Sequence, residues 1–362
     1  MSSGRIQYLD IAKGIGIILM VMGHASFGEG FSHYIHGFHM PLFFFVSGLL
    51  FTFKPDKSWG EVFAGKCRTI LIPYAFFGLL TYGIWAATRG GRVTGADLLT
   101  PLQRLLWNNS HGLAISGEFW FLSAMFFAAL LFDGLFRFVG KPVFRAGLLI
   151  LLALFGCLFR WKFDMELPWS LLSAMVGMGF MGIGCFLRQN AEKGGFARRL
   201  FHLRWYEIAA LALISGVLIF VNGPVNMRRS VYSIVPLFWF DAVVMSLVIV
   251  VLSMKIENLP LNGVLGRCRN LLAGVGRDSI TYLCLNSLVL HILGGTCQKF
   301  FGSRPGIFHS AVIFALTMVT IYWFNKFTMK TDARVLLGRR PLKYETEQPR
   351  TDAGTGTHCG NS

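Results

Sequence analysis

Ten separate stretches of apolar residues, each about as long as a membrane-spanning helix, make up most of this chain. They lie at roughly 9–26, 36–53, 69–87, 119–136, 143–159, 169–187, 205–222, 233–252, 278–296 and 308–327. A helix needs about 20 apolar residues to cross a bilayer, where only helices and closed barrels satisfy their backbone groups. Charged residues make up 14% of the chain, against about 25% in soluble domains. The pattern predicts an all-α, polytopic integral membrane protein with about ten transmembrane helices.

The basic residues are distributed unequally among the loops that join these stretches. If the N-terminus is cytoplasmic and the chain crosses ten times, 25 of the 34 lysines and arginines lie on the cytoplasmic side. Such an excess is the positive-inside bias of membrane proteins. It predicts that both termini are cytoplasmic. It also explains the net charge of +16 without a nucleic-acid partner.

The apolar stretches indicate one transmembrane domain, residues 1–330, followed by a polar tail, residues 331–362. The tail is rich in threonine and glycine, which favours a disordered cytoplasmic segment. The first stretch lacks a small-residue cleavage site, so we expect it to remain as a helix rather than be removed as a signal peptide. The longest predicted outer loop, about 88–118, is long enough to fold over the mouth of a cavity. The seven scattered cysteines indicate neither a metal site nor a disulfide framework.

The first stretch, YLDIAKGIGIILMVMGH, places three ionisable residues on one side of its predicted helix. Because a helix turns about 100° and rises about 1.5 Å per residue, His24 lies within roughly 20° of Lys13 and roughly 16 Å further along the axis. Asp10 lies within roughly 40° of the same line. Ionisable groups in a membrane are costly and usually face a polar interior or a pathway. The stripe therefore predicts a functional site, although a lone membrane histidine can also be a packing residue.

Two later segments add basic side chains near predicted helix ends. In FHMPLFFFVSG, His39 precedes a proline at the start of an aromatic run, and His36 lies three residues earlier. In KCRTILIPY, Lys66 and Arg68 precede a proline that opens or kinks the third span. These two cations could anchor the helix at the cytoplasmic surface or bind the phosphates of a ligand. The residues alone favour neither interpretation.

Further polar residues lie at or inside the later spans. Glu118 stands beside Trp120, which by itself could be an interface tryptophan. Asp241 is the only acidic residue placed in the middle of a span, so it needs a partner or a role. Asn286 falls inside the ninth span and is followed by His291. An intramembrane asparagine can also simply join two helices by hydrogen bonds.

These blocks, in this order, resemble the acyltransferase-3 family of multi-pass membrane O-acyltransferases. Within that family, the blocks resemble the branch of fucose 4-O-acetylase-like and exopolysaccharide sugar O-acetyltransferases. The resemblance covers about residues 1–330. It is carried by YLDIAKGIGIILMVMGH, FHMPLFFFVSG, the basic cluster before ILIPY, and WFL at 120–122. Lys13 stands where the family more often has an arginine, and Asn286 stands where it often has a histidine.

The resemblance implies that an acyl group, usually acetyl, moves from acyl-CoA on the cytoplasmic side to a sugar hydroxyl. The acceptor would be a cell-surface glycan, such as an exopolysaccharide or O-antigen, or its lipid-linked precursor. The implied location is the bacterial cytoplasmic (inner) membrane. Acetyl-CoA would be a co-substrate, with no permanently bound cofactor and no metal. The implied partners are acyl-CoA, the glycan or lipid-linked oligosaccharide, and membrane lipids.

The resemblance also implies roles for the residues described above. His24 would be the general base on the acceptor hydroxyl, or would carry the acyl group transiently. Lys13 would neutralise negative charge on the CoA moiety, and Asp10 would orient Lys13. Lys66 and Arg68, in place of an often tighter arginine pair, would bind the CoA phosphates. The candidates for the acceptor end are His36, His39, Glu118, Trp120 and Asn286.

Two other functions fit parts of the same pattern. A transporter or flippase for a sugar or lipid-linked glycan would share the polar stripe and the intramembrane Asp241. Such transporters usually show internal repeats and broken helices at matched positions, which the sequence does not display. A sensor or scaffold without catalysis would leave the register of Lys13 and His24 accidental.

Overall fold

The computed structural model describes residues 6–88, 95–107, 111, 116–301 and 306–342. The fold is 83% helical, which confirms the predicted all-α polytopic class. The helices are α1 (Gln7–His24), α2 (Glu29–His36), α3 (His39–Leu50), α4 (Trp59–Lys66), α5 (Ile72–Thr88), α6 (Gly95–Leu106), α7 (Phe119–Phe138), α8 (Pro142–Phe163), α9 (Leu171–Lys193), α10 (Gly195–Leu200), α11 (Trp205–Asn222), α12 (Val235–Asn258), α13 (Gly263–Arg277), α14 (Ser279–Phe301) and α15 (Ile307–Thr328). Two short antiparallel strands, β1 (Val225–Asn226) and β2 (Val231–Tyr232), lie between α11 and α12.

Within the described ranges, eight helical segments are long and apolar enough to cross a membrane, and they coincide with the third to tenth predicted spans. α1 has 18 residues but is not one of the eight, because its polar stripe lowers its mean hydropathy. The ten-crossing topology and the cytoplasmic location of both termini therefore stay predictions.

The second predicted span, 36–53, is not one continuous helix. α2 ends at His36 and α3 begins at His39, with Gly37 and Phe38 between them. α3 has 12 residues, or about 18 Å, which is less than the roughly 30 Å thickness of a bilayer core. Its aromatic run faces other helices instead of lipid, since Phe44 and Phe45 are completely buried. The apolar run thus forms a short core helix.

α1 lies inside the bundle and packs against α3, α12, α13 and α14. Its contact with α13 requires two glycines. A Cβ on Gly276 would lie 1.8 Å from the carbonyl oxygen of Asp10, and one on Gly14 would lie 2.2 Å from that of Leu272. Small residues allow such backbone-to-backbone contact between helices. The Asp10 end of α1 is therefore held against α13, while the His24 end lies against α14.

α4 and α5 form one 30-residue helix, Trp59–Thr88, interrupted by a π-helical turn at Cys67–Leu71. Pro73 follows this turn and lacks the backbone N–H that would continue the regular ladder. π-helical turns of this kind occur frequently at functional sites. The turn includes Arg68, and Lys66 is the last residue before it.

The predicted disordered tail, 331–362, begins with a folded segment. Residues Asp332–Leu337 form a short 3₁₀ helix in which Arg334 and Leu337 are buried. Gly338 follows with a φ of 77°, and a Cβ there would lie within about 3 Å of the Arg68 and Thr69 carbonyl oxygens. Residues 331–342 therefore pack on the membrane domain, which corrects the predicted boundary for this part. Residues 343–362 lie outside the described residues.

Part of the predicted outer loop, 88–118, forms the helix α6. The Tyr74 hydroxyl donates a hydrogen bond to the carbonyl of Leu105 near the end of α6. The indole N–H of Trp169 donates to the carbonyl of Leu106 at 2.7 Å. α6 is thus attached to α5 and to the 3₁₀ turn Pro168–Ser170 that precedes α9. Residues 89–94, 108–110 and 112–115 of this loop lie outside the described residues.

Candidate active site

A cavity of about 150 Å³ lies where the His24 end of α1 meets α3, the start of α7 and the β1–β2 turn. We call it the histidine cavity. Its lining includes five residues that the sequence marked as site candidates, namely His24, His36, His39, Glu118 and Trp120. The remaining lining residues are Met40, Gly117, Asn226, Met227 and Arg228. The fold therefore brings together four of the five predicted acceptor-end residues and the predicted base.

A chain of hydrogen bonds runs from the cavity into α14. The Nδ1 atom of His24 lies 3.3 Å from the Oγ atom of Ser287. The Ser287 hydroxyl donates to the Oε2 atom of Glu118 at 2.7 Å. His24 is the last residue of α1, Ser287 lies in α14, and Glu118 directly precedes α7. Their contact depends on the packing of three helices that are distant in sequence.

Glu118 is a buried carboxyl beside this cavity, with only 2% of its surface exposed. Its Oε1 atom has no hydrogen-bond partner among the described residues. Burial raises the pKa of the Glu118 carboxyl to about 7, against the opposing effect of the hydrogen bond from Ser287. The group can therefore change its protonation state near neutral pH.

His36 and His39 each bond to the backbone of the preceding helical turn. The Nδ1 atom of His36 lies 2.5 Å from the Ser32 carbonyl oxygen, and that of His39 lies 2.6 Å from the Ile35 carbonyl oxygen. Because a carbonyl only accepts, Nδ1 carries the proton in both rings, and a neutral ring then keeps Nε2 as an acceptor. The two rings meet edge to face, with centroids 5.2 Å apart.

Arg228 is a cavity residue that the sequence did not single out. It lies in the 3₁₀ turn Met227–Arg229 between β1 and β2. Its guanidinium lies beside Gly117, where a Cβ would come within 2.5 Å of an Nη atom. A side chain at position 117 would require the end of the Arg228 side chain to move. In the sequence, Arg228 is one of the basic residues of the predicted non-cytoplasmic loops, and no pattern there gave it a role in a site.

A second, larger cavity of about 1030 Å³ lies beside the first turn of α14, where Asp278 and Tyr282 line it. Its basic lining residues are Arg68, Arg267, Arg277, Lys326, Arg334, Arg339 and Arg340. We call it the cationic cavity. Among the described residues of its lining, Asp278 is the only acid, and it accepts hydrogen bonds from Arg339 at 2.7 Å and from Asn325 at 2.9 Å. The cavity therefore carries a strong excess of positive charge.

The predicted pair Lys66 and Arg68 is divided between two cavities. Arg68 lines the cationic cavity and also a neighbouring cavity of about 480 Å³. Lys66 lines only the neighbouring cavity, which also contains Asp133. The Nε atom of Arg68 is buried without a hydrogen-bond partner in the described part of the chain.

The structure confirms the helical register predicted for the first apolar stretch, since α1 runs unbroken from Gln7 to His24. Lys13 forms an ion pair with Asp10 at 2.7 Å. Neither residue is among those lining the histidine cavity or the cationic cavity. The pair lies at the α13 end of α1.

Two other predicted residues lie outside the histidine cavity. Asn286 is completely buried, and its amide donates to the carbonyls of Tyr282 and Leu283 within α14. Its Oδ1 atom lies 3.3 Å from the Ser287 hydroxyl, so it flanks the hydrogen-bond chain without lining the cavity. Asp241 is also completely buried, and Ser215 of α11 donates to its Oδ1 atom at 3.4 Å.

Comparison with known proteins gave one finding. A family model described as an acyltransferase domain, that of the acyltransferase-3 family, matches residues 6–326. The match includes α1 to α14 and nearly all of α15, and therefore the histidine cavity. Curated proteins and solved structures yielded no match.

Proposed function

This chain belongs to the acyltransferase-3 family of membrane acyltransferases, and on that premise we propose that it acetylates a sugar hydroxyl. The donor is acetyl-CoA, bound from the cytoplasmic side of a bacterial inner membrane. The acceptor is an exopolysaccharide, an O-antigen or a lipid-linked precursor of such a glycan. The single observation that carries the proposal is that His24, whose side chain is exposed, lines the polar histidine cavity and contacts α14, the helix that also borders the cationic cavity.

The cationic cavity is the proposed site for the phosphates of CoA. Arginine presents several N–H donors in a planar fork that matches phosphate oxygens, and charge-assisted hydrogen bonds of this kind are strong. The lining contains seven basic residues and one acidic residue. Arg68 contributes to it from the π-helical turn, and Arg334, Arg339 and Arg340 contribute from the segment after α15.

α14 connects the two cavities along one helix. Asp278 and Tyr282 line the cationic cavity, and Ser287 contacts His24 at the histidine cavity. Ser287 lies five positions after Tyr282, which is about 7.5 Å along the helix axis. With its phosphates in the cationic cavity, the donor would extend its pantetheine arm along α14 towards His24.

His24 is the proposed general base. A sugar hydroxyl is a poor nucleophile until its proton is removed, and histidine can accept a proton near neutral pH. His24 takes the hydroxyl proton as the acceptor oxygen attacks the thioester carbon. The carbon–sulfur bond then breaks, and the departing thiolate takes the proton from His24. The products are the acetylated sugar and free CoA.

The other lining residues of the histidine cavity would hold the acceptor. A volume of about 150 Å³ is below the 300–1,000 Å³ typical of ligand pockets, so only the reacting part of a glycan would fit. Trp120 offers an aromatic face with a polar N–H. His36, His39 and Arg228 offer polar atoms around the reacting hydroxyl.

The test is acetyl transfer by the purified protein in lipid nanodiscs. Acetyl-CoA labelled in the acetyl group is supplied with lipid-linked oligosaccharides or polysaccharide from a bacterial envelope, and the glycan is analysed by mass spectrometry. We expect the glycan to gain labelled acetyl groups and the solution to gain free CoA in equal amount. Movement of unmodified glycan across a vesicle membrane without acetylation would instead support a flippase.

A further inference from the structure

We propose that Ser287 and Glu118 act as positioning residues for His24, holding its ring in the tautomer that leaves Nε2 free as the base. The inference rests on the proposed function of His24 and extends it to two residues from other helices. Ser287 had no signal in the sequence, and Glu118 was expected only at the acceptor end. The argument depends on which atoms can donate and which can accept.

Ser287 has one hydroxyl proton, and two of its neighbours, the amide oxygen of Asn286 and the Glu118 carboxyl in its ionised form, only accept. Its Oγ atom lies 2.7 Å from Oε2 of Glu118 and 3.3 Å from Oδ1 of Asn286. The shorter contact, to the carboxyl, takes the proton. Oγ can then interact with Nδ1 of His24, 3.3 Å away, only as an acceptor. Nδ1 therefore carries the ring proton, and the lone pair of a neutral ring lies on Nε2.

The hydroxyl of Ser287 donates its hydrogen bond to a different kind of acceptor from that of most serines in helices. Serines inside helices often bond to the carbonyl four residues earlier, as Ser253 of α12 does with Ile249 at 2.7 Å. Ser287 makes no such bond among the described residues. Instead, its hydroxyl joins His24 of α1 to Glu118, which lies 169 positions away in sequence.

Glu118 supplies the charge that a base needs when it becomes protonated. The charged or titratable residues that line the histidine cavity with His24 are Glu118, Arg228, His36 and His39. Glu118 is the only acid among them. The Arg228 guanidinium disfavours a positive charge on His24, so among the described lining residues the Glu118 carboxylate is the group that stabilises the imidazolium.

The proposed reaction needs no proton to move between His24, Ser287 and Glu118. His24 receives the hydroxyl proton at Nε2 and returns it to the thiolate of CoA, while Nδ1–H stays bonded to Ser287. Ser287 keeps its own proton in the bond to Glu118. A histidine oriented through its second nitrogen by a hydrogen-bonded acceptor is a common arrangement in catalytic and metal-binding sites.

The first experiment reads the tautomer directly and needs no acceptor. The protein is labelled with ¹⁵N-histidine, and the His24→Ala variant identifies the signals of His24 among those of the nine histidines. We expect a protonated Nδ1 and a bare Nε2 in the wild type, with the opposite tautomer gaining population in Ser287→Ala. A protonated Nε2 in the wild type would overturn the proposal.

The second experiment measures kinetics across pH. Ser287→Ala should lower kcat by about 10- to 100-fold with little change in the KM for acetyl-CoA, and Ser287→Thr should restore most of the rate because it keeps the hydroxyl. Glu118→Gln keeps an acceptor oxygen but loses the charge. We expect it to move the acidic limb of the kcat profile to lower pH, because a charged His24 is no longer favoured. Ser253→Ala is the matched control and should change neither kcat nor its pH profile.

The two proposals can fail separately. If the wild type acetylates a glycan but Ser287→Ala and Glu118→Gln keep its rate and pH profile, the positioning role is wrong and the proposed function stands. If the wild type shows the expected His24 tautomer but transfers no acetyl group to any glycan, the proposed function is wrong and the hydrogen-bond chain stands as a structural feature.

Discussion

The histidine cavity and the cationic cavity border different turns of α14, the first at Ser287 and the second at Tyr282, and they are built in contrasting ways. The first has a volume of about 150 Å³ and contains side chains held by specific bonds to Ser287, Ser32 and Ile35. The second has about 1030 Å³ and a majority of arginines among its charged residues. Chemistry on one hydroxyl requires fixed atoms, whereas holding several phosphates requires mainly positive charge. The difference therefore separates a reaction site from a binding site.

The largest effect should come from the histidine cavity. His24→Ala should lower acetyl transfer by about 10²–10⁴-fold, because that is the usual contribution of a general base. Acetyl-CoA binding, measured by calorimetry on the same preparation, should be nearly unchanged, because the proposed phosphate site is the cationic cavity, which His24 does not line. An unaltered elution profile and melting temperature would show that the variant is folded. Near-normal transfer would remove His24 from the mechanism.

Replacing Arg68 should have a smaller effect, on the KM for acetyl-CoA and not on the rate of transfer. Arg68→Ala should raise the KM for acetyl-CoA by about 10-fold or more, since a charge-assisted hydrogen bond contributes about 1.5–3 kcal/mol. Lys66→Ala is the matched comparison, because Lys66 precedes the same π-helical turn but lines only the neighbouring cavity. It should change that KM less. Equal effects of the two variants would mean that both cavities contact the donor.

Arg339 provides a still smaller test of the cationic cavity. Asp278 already accepts a hydrogen bond from Arg339 at 2.7 Å, so part of the arginine's charge is neutralised. Arg339→Ala should raise the KM for acetyl-CoA by only about 2- to 5-fold, because partly compensated charges contribute less than free ones. The rate at saturating acetyl-CoA should stay near that of the wild type. A large loss of kcat would place the segment after α15 in the reaction itself.

The smallest effect should come from Asp241, which lies outside both cavities. Asp241→Asn keeps an oxygen that can accept the Ser215 hydrogen bond and removes a buried charge. Transfer should remain within about twofold of the wild type, with a change in stability of about 1 kcal/mol or less. Activity in membranes and the melting temperature are the measurements. A folded but inactive variant would show that Asp241 contributes to catalysis.

The sequence by itself determined the features that depend on neighbours along the chain. Eight of the ten predicted spans are helices long enough to cross a membrane. Lys13 and His24 share one unbroken helix, because helical register is a local property. The aromatic run after His39 was predicted as part of a span and is a short core helix, because an apolar pattern does not distinguish burial in lipid from burial in protein.

Only the tertiary structure decided which distant residues meet. Ser287 reaches His24 and Glu118 because α14 packs against α1 and beside the start of α7, and no periodicity in the sequence records that contact. Arg334 and Arg339 fall in a segment whose polar composition predicted disorder, yet that segment folds against Arg68 and Asp278. Hydrophobic periodicity specifies helices and their apolar faces. The partners of single polar atoms depend on how those helices pack together.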